Sequence, residues 1–301
     1  MGRDLQQRSL AFDKKALLSE YSDIAHLRGQ RDAFARKFAN HINLLLESKK
    51  PRKVFSNKGL LDPRRVYRHS FDDNIFSRTT KVNSSDTTIV FLLDGSGSMN
   101  SEVFNNMTRV EVCTVIASAF AKAVKMTVNS EIKVEVFLKS ASGHIHKGTT
   151  GTDNGAFINL TRIFTNDKNV IDFDSILEID THMPYFVDGE KSGSYTAELS
   201  VMPAFLHWAK KNIKTKNMVL LNITDGEAYA TLNNYTIGDA ENRTLRMKYL
   251  RNLNHLNIMI SGRYSESGLR NIYGDSIMCV NDASFHAEMF KKLSGILETA
   301  L

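Results

Sequence analysis

Cysteine is scarce in this chain. Cys113 and Cys279 are the two among 301 residues, and both lie in apolar stretches, so they read as reduced buried thiols rather than as a disulfide framework. No apolar run approaches the roughly 18–20 residues that cross a bilayer. The opening Met-Gly-Arg-Asp-Leu-Gln-Gln-Arg lacks the apolar core of a secretory signal, and Gln6 stands where a myristoylation signal requires Ser or Thr. The triplet Asn222-Ile223-Thr224 falls inside a buried-looking strand, where no glycan fits. The expectation from these absences is an intracellular, cytoplasmic protein that does not engage a membrane. Catalytic signatures are missing too. There is no Gly-x-Ser-x-Gly elbow and no phosphate-cradling Gly-x-x-x-x-Gly-Lys-Ser/Thr loop. The single tryptophan, Trp208, and the 17 phenylalanines fit helix and core positions without interleaving with basic residues, so a single-strand nucleic-acid platform lacks its usual form. No internal repeat stands out.

What the chain does have is an ordinary globular composition, 42% apolar and 24% charged, and enough length to bury a substantial core. Its formal net charge of +6 is unevenly placed. Residues 1–86 carry 18 Lys and Arg against 10 Asp and Glu, whereas the remainder carries 21 against 23. The basic excess therefore belongs to the N-terminal segment, as a solvated helical surface or as a face for nucleic acid or an acidic partner. Within it, residues 1–48 read as helical, with Phe34, Phe38, Ile42 and Leu45 on one face and Arg36, Lys37 and Asn40 on the other. Lys49-Lys50-Pro51-Arg52-Lys53 breaks that helix. Residues 54–86 read as a linker that covers one side of a sheet.

The most informative stretch is Thr87-Thr-Ile-Val-Phe-Leu-Leu-Asp94-Gly-Ser96-Gly-Ser98-Met99. An apolar run without a polar face predicts a central strand buried on both sides. It ends in a turn that alternates one carboxylate and two hydroxyls with glycines, so three hard oxygens can converge. Such oxygens suit Mg²⁺ or Mn²⁺. Beyond it, strands and helices alternate. A helix is expected over about 103–126, a strand at 132–137 with a returning hairpin at 143–149, and a helix at 197–212. A strand at 218–225, a helix at 240–253, strands at 255–262 and 276–280, and a closing helix at 284–299 follow. The Gly-, Asp- and Asn-rich stretch 150–195 resists assignment. This alternation predicts an α/β fold, a doubly wound and mostly parallel sheet with helices on both faces plus an N-terminal helical extension. Ligands bind such sheets beyond the carboxyl ends of the strands, near the switch point. Asp94 falls there, and so does Asp225, which closes the second apolar strand Met218–Thr224. His144 and His146 alternate on the hairpin and could share one side, but two ligands are too few for a structural zinc site.

With Asp94-x-Ser96-x-Ser98, a second strand ending at Asp225, and the hydroxyl-bearing Ser192-Gly193-Ser194-Tyr195-Thr196-Ala197-Glu198 between them, the chain resembles the von Willebrand factor A (VWA) fold and its metal-ion-dependent adhesion site (MIDAS). The resemblance implies domains at 1–53 (basic helical extension), 54–86 (linker) and 87–301 (VWA). It implies that Ser96, Ser98 and Thr196, with Ser194 as the alternative, ligate Mg²⁺ or Mn²⁺, while Asp94 and Asp225 hold its waters. Hydroxyls are weak neutral donors, so the ion stays electrophilic and its open position seeks an Asp or Glu carboxylate from a partner protein. Glu198 and Glu227 stand nearby, either as helix-start and surface glutamates or as groups that tune the site or occupy that open position. A looser resemblance over about 55–301 is to CobT-type VWA proteins, the cobaltochelatase subunit group with viral relatives. It is carried by Gly59-Leu-Leu-Asp-Pro-Arg-Arg65, Leu269-Arg-Asn-Ile-Tyr-Gly274 and Ala283-Ser-Phe-His-Ala-Glu-Met-Phe-Lys-Lys-Leu293. The acidic middle region of chelatase CobT is absent. The group implies a MoxR-like or chelatase-type AAA+ ATPase as partner. The expected function is therefore metal-dependent protein binding by a non-catalytic adaptor. The alternative is a nucleic-acid-associated protein using its basic N-terminal segment, and a third reading is a chelatase subunit acting on a tetrapyrrole.

Overall fold

The run Thr87–Asp94 is buried along its whole length, as expected of a strand with no polar face. It is the centre of the fold in a computed structural model that describes residues 24–48, 53–66, 74–79, 86–104, 106–127, 132–142, 157–166, 172–179, 185–187, 190–192, 194–195, 198–225, 231–232, 235–236, 239–260, 266–274, 276–280 and 285–300. The chain enters through α1 (Ala25–Ser48), then β1 (Lys53–Ser56), β2 (Leu60–Leu61) and β3 (Phe76–Thr79). The central strand is β4 (Thr87–Asp94), followed by a 3-10 turn at Gly97–Asn100, β5 (Glu102–Phe104), β6 (Met107–Thr108) and α2 (Arg109–Met126). Next come β7 (Lys133–Ser142), β8 (Phe157–Thr165), α3 (Asp174–Leu177), β9 (Tyr185–Val187), β10 (Glu190–Ser192), β11 (Ser194–Tyr195) and α4 (Glu198–Asn212). The last part holds β12 (Asn217–Thr224), β13 (Thr231–Leu232), β14 (Tyr235–Thr236), α5 (Asp239–Leu250), β15 (Asn254–Met259), α6 (Glu266–Tyr273), β16 (Ile277–Cys279) and α7 (Phe285–Ala300).

The main sheet runs β11-β7-β4-β12-β15-β16, with β8 on the outer edge of β7. Strands β7, β4, β12, β15 and β16 are parallel, whereas β8 and β11 run antiparallel to β7. From β4 the chain crosses to β7 on one side and later to β12 on the other. The switch of direction therefore lies at β4, and its carboxyl end marks the crevice where such sheets bind ligands. Alternate residues divide between two cores. Ile89, Phe91, Leu93, Val134, Val136, Leu138, Val219, Leu221 and Ile223 pack with α1, α2 and α7. Val90, Leu92, Phe137 and Leu220 pack with Met202, Phe205 and Ala209 of α4 and Leu250 of α5. Trp208 joins this second core edge-on to Phe137, at a centroid distance of 4.7 Å.

Several expectations needed adjustment. The helix expected from about residue 103 starts at Arg109, because Thr108 and Glu111 form a capping box and the residues before it pair as the β5–β6 hairpin. Asn106 there takes a positive φ of 56°, which asparagine tolerates better than most residues. The stretch 54–86, read as a linker, contributes a three-stranded sheet ordered β1-β3-β2. Helix α6 is an element the periodicity did not reveal. Helix α2 is buried nearly all round between residues 109 and 124, since α1 covers the side that faces away from the sheet. Phe38 meets Phe120 edge-on at 5.4 Å, Lys122 donates to Asp32 at 2.8 Å, and Arg28 and Arg31 both reach Asp174. The hairpin at 143–149 with His144 and His146, the helical reading of residues 1–23, and Lys49–Arg52 lie outside the described residues. Among the described residues no helix is long and apolar enough to cross a membrane.

Candidate functional site

Strand pairing brings the site together. Residues Asn217–Ile223 of β12 lie in register with Thr87–Leu93 of β4, so the two strands end side by side and deliver Asp94 and Asp225 to one place. Both carboxylates are fully buried. Asp94 is held firmly, since its Oδ1 accepts the Ser96 N–H at 2.9 Å and its Oδ2 accepts the Thr224 hydroxyl at 2.6 Å. The first bond closes an Asx-type turn that sends the chain back over the strand end. Gly95 donates its N–H to the Lys139 carbonyl at 2.8 Å. A Cβ at Gly95 would stand 3.1 Å from that same carbonyl oxygen and 3.1 Å from Leu138. A side chain here would crowd the strand end unless its neighbours gave way by a few tenths of an ångström.

The turn sets the two serine hydroxyls 3.0 Å apart, with Ser96 buried and Ser98 half-buried. This is a hydrogen bond, and it is also the separation of two adjacent oxygens in an octahedron of ~2.1 Å bonds, about 3.0 Å. The donor set therefore fits a small hard cation. Among the described residues no three His, Cys, Asp or Glu side chains gather as a metal cage, so coordination here would depend on hydroxyls, as the sequence motif implies.

The structure brings Asp94, Ser96, Ser98 and Asp225 together. Thr196 and Glu227 lie outside the described residues, but the chain beside Thr196 is placed. Ser194 and Tyr195 pair with Ser142 and Ala141 of β7. Those two residues use their other edge for β8, so β11 occupies the edge that β4 vacates after pairing Asp94 with Lys139. The segment 194–195 thus begins two residues beyond Asp94 along β7, about 7 Å, at the mouth of the site.

Three participants were not expected from the sequence. Arg109, 6% exposed, donates through Nη1 to the Ser98 carbonyl at 3.0 Å and to Oδ2 of Asp225 at 3.2 Å. Lys139, 2% exposed, donates to Oδ1 of Asn222 at 2.6 Å. Asn222 passes the chain on to Asn257 at 3.0 Å, and Asn257 to the Ser276 carbonyl at 3.2 Å. A polar ladder thus crosses three strands beneath the site, and it satisfies polar groups that would otherwise be costly to bury. Thr224, the third, anchors Asp94. The signal for Lys139 was a lysine in step with the apolar Phe137 on a buried strand. Arg109 had no comparable signal. Below these groups the Cys113 thiol is fully buried. Burial, then the charges of Asp94 and Asp225, hold it well above the usual thiol range, with Lys139 opposing.

The chain matches no model of a known protein family and no curated protein. Solved structures similar to it include proximal thread matrix protein 1 (PTMP1) from the mussel byssus, with a zinc-occupied MIDAS motif. That likeness has 15% identity and a TM-score of 0.40, over 71% of this chain and 46% of the mussel protein. The pilus adhesin RrgA from Streptococcus pneumoniae is similar at 13% identity and a TM-score of 0.38, over 73% of this chain and 45% of the adhesin. The match therefore spans less than half the length of either protein.

Proposed function

We propose that this chain is a divalent-cation-dependent protein-binding module of VWA type, itself non-catalytic. The observation that carries the reading is the convergence of Asp94, Ser96, Ser98 and Asp225 at the carboxyl ends of two adjacent parallel strands. Ser96 and Ser98, with Thr196 or Ser194, would hold Mg²⁺ or Mn²⁺ directly, and Asp94 and Asp225 would hold its waters. When bound, the ion supplies an electrophilic position for an Asp or Glu carboxylate of a partner protein. The chain's own residues prepare that position. Gly95 lets the turn press against β7, and Thr224 and the Ser96 N–H fix Asp94.

The finer reading is an adaptor or substrate-recognition subunit for a MoxR-like or chelatase-type AAA+ ATPase, supported by the CobT-type sequence resemblance of residues 55–301. The test is affinity capture from the native source with tagged wild type and Asp94→Ala, in Mg²⁺ and in EDTA, after both are shown to be folded. An AAA+ ATPase retained by wild type with Mg²⁺ alone is the expected result. Equal capture by both proteins in both conditions overturns the reading. Recovery of nucleic acid alone would move attention to the basic N-terminal segment.

A further inference from the structure

Arg109 is, with Lys139, one of two unexpected charges in this site. It opens α2, donating its backbone N–H to the Ser101 carbonyl at 3.1 Å, and its side chain turns back so that one nitrogen serves both the Ser98 carbonyl and Asp225. Its Nε is buried and has no hydrogen-bond partner among the described residues. Guanidinium groups are best held when several of their N–H groups are matched by acceptors. This one is bonded through Nη1 and unmatched at Nε, so its hold is incomplete.

Charge balance gives the pairing its meaning. Two buried carboxylates, Asp94 and Asp225, share the crevice with two buried cationic side chains, Arg109 and Lys139. Among the described residues these four sum formally to zero. A divalent cation among them would leave a net positive charge in a region of low dielectric, where like charges repel strongly. Departure of Arg109 or arrival of an external carboxylate would lower that excess.

We infer that Arg109 is an internal competitor of the divalent cation. Its guanidinium already engages the Asp225 carboxylate that would hold the cation's waters, so loading the cation releases Arg109, and an acidic ligand favours loading. The inference rests on the proposed cation site and adds its regulation. The loaded site is weak in isolation and tightens when a carboxylate arrives, because the partner supplies the negative charge that Arg109 has cancelled.

The experiment is Mn²⁺ titration by calorimetry of wild type and Arg109→Gln, with thermal unfolding of both in EDTA and in saturating Mn²⁺. Arg109→Gln should bind Mn²⁺ about tenfold tighter, the low end of the value of one hydrogen bond to a charged group. It should also melt below wild type in EDTA and recover most of that gap in Mn²⁺. Equal or weaker Mn²⁺ binding by a folded Arg109→Gln overturns the competition while leaving the cation site standing, as does a melting gap that Mn²⁺ leaves unchanged. No Mn²⁺ binding by either protein overturns the cation site and the inference together. A measurement on wild type needs no variant. The buried Arg109 Nε–H should give a protected ¹⁵N NMR resonance that shifts or exchanges when diamagnetic Mg²⁺ is added. A resonance unmoved at saturating Mg²⁺ overturns the inference.

Discussion

At the scale of single residues, Gly95 is the most demanding position in the site. Its N–H bonds the Lys139 carbonyl, and a methyl group there would meet that same oxygen at 3.1 Å. The oxygen belongs to an interior strand and cannot retreat without loosening β4 from β7. Gly95→Ala should therefore destabilise the fold by ~1–3 kcal/mol, the usual cost of forced overpacking, which urea unfolding would measure. Cys113 offers a second test, with the sign fixed by its environment. Burial first, then Asp94 and Asp225, keep its proton on in the folded chain, while the unfolded thiol ionises near pH ~8.5. Above that pH the unfolded state binds fewer protons, so stability should be complete below ~8.5 and fall as pH rises beyond it. Cys113→Ala should flatten that part of the pH–stability curve. The convergence of Asp94, Ser96, Ser98 and Asp225 was legible in the sequence because each lies at the end of a recognisable apolar strand. Arg109, Lys139 and Thr224 were not, because each acts across residues far apart in the chain. Thr224 meets Asp94 130 positions away and Lys139 meets Asn222 83 positions away, and strand order alone makes them neighbours.

Among elements, α2 decides how firmly the site is built. The capping box of Thr108 and Glu111 sets its first turn, and Arg109 follows directly, so the cap also aims the guanidinium. Removing the Thr108 hydroxyl with Thr108→Ala should cost ~0.5–2 kcal/mol, seen as a lower denaturant midpoint. Periodicity placed Val110, Cys113, Ala117, Phe120 and Val124 on one apolar face of this helix, and all five are buried. It gave no sign that the opposite face is buried too, because that face is filled by α1, an element from before the sheet begins. Phe38 of α1 against Phe120 of α2 is the centre of this contact. Phe38→Ala should cost ~3–5 kcal/mol, as for other buried aromatic truncations. The start of α2 was misplaced for a local reason. Strands β5 and β6 pair as a short hairpin, with Asn106 at a positive φ just before β6, and two- and three-residue strands are too brief to leave a period. Helix α6 escaped for a similar reason, its buried side resting on Leu269 and Tyr273.

For the whole molecule, the question is whether the basic N-terminal part is a binding arm or part of the body. Residues 1–86 carry the charge excess, yet in α1 the arginines nearest the fold are engaged internally. Arg31 is buried, pairs with Asp32 and Asp174, and shares Asp32 with Lys122. Deleting this segment would uncover the α2 face and remove Ile24, Leu27, Phe38, Ile42 and Leu45 from the principal core. Loss of nucleic-acid binding after such a deletion would therefore report unfolding as readily as lost contacts. Charge reversal at outward positions separates the two. Arg36, Lys37, Lys58 and Arg64 are exposed, and surface substitutions of this kind usually change stability by no more than ~0.5 kcal/mol each. If these residues neutralised phosphates, their joint reversal to glutamate would lower the slope of log affinity against log salt by about 3–4, at ~0.9 per contact. A Mg²⁺-dependent protein-binding module predicts a different result. The fourfold variant should keep its melting transition and its EDTA-sensitive capture of a partner, while Ser98→Ala, with all four basic residues intact, should lose that capture. Salt-dependent nucleic-acid binding abolished by the fourfold variant, alongside undiminished capture by Ser98→Ala, would place function on the basic surface and make the sheet a scaffold.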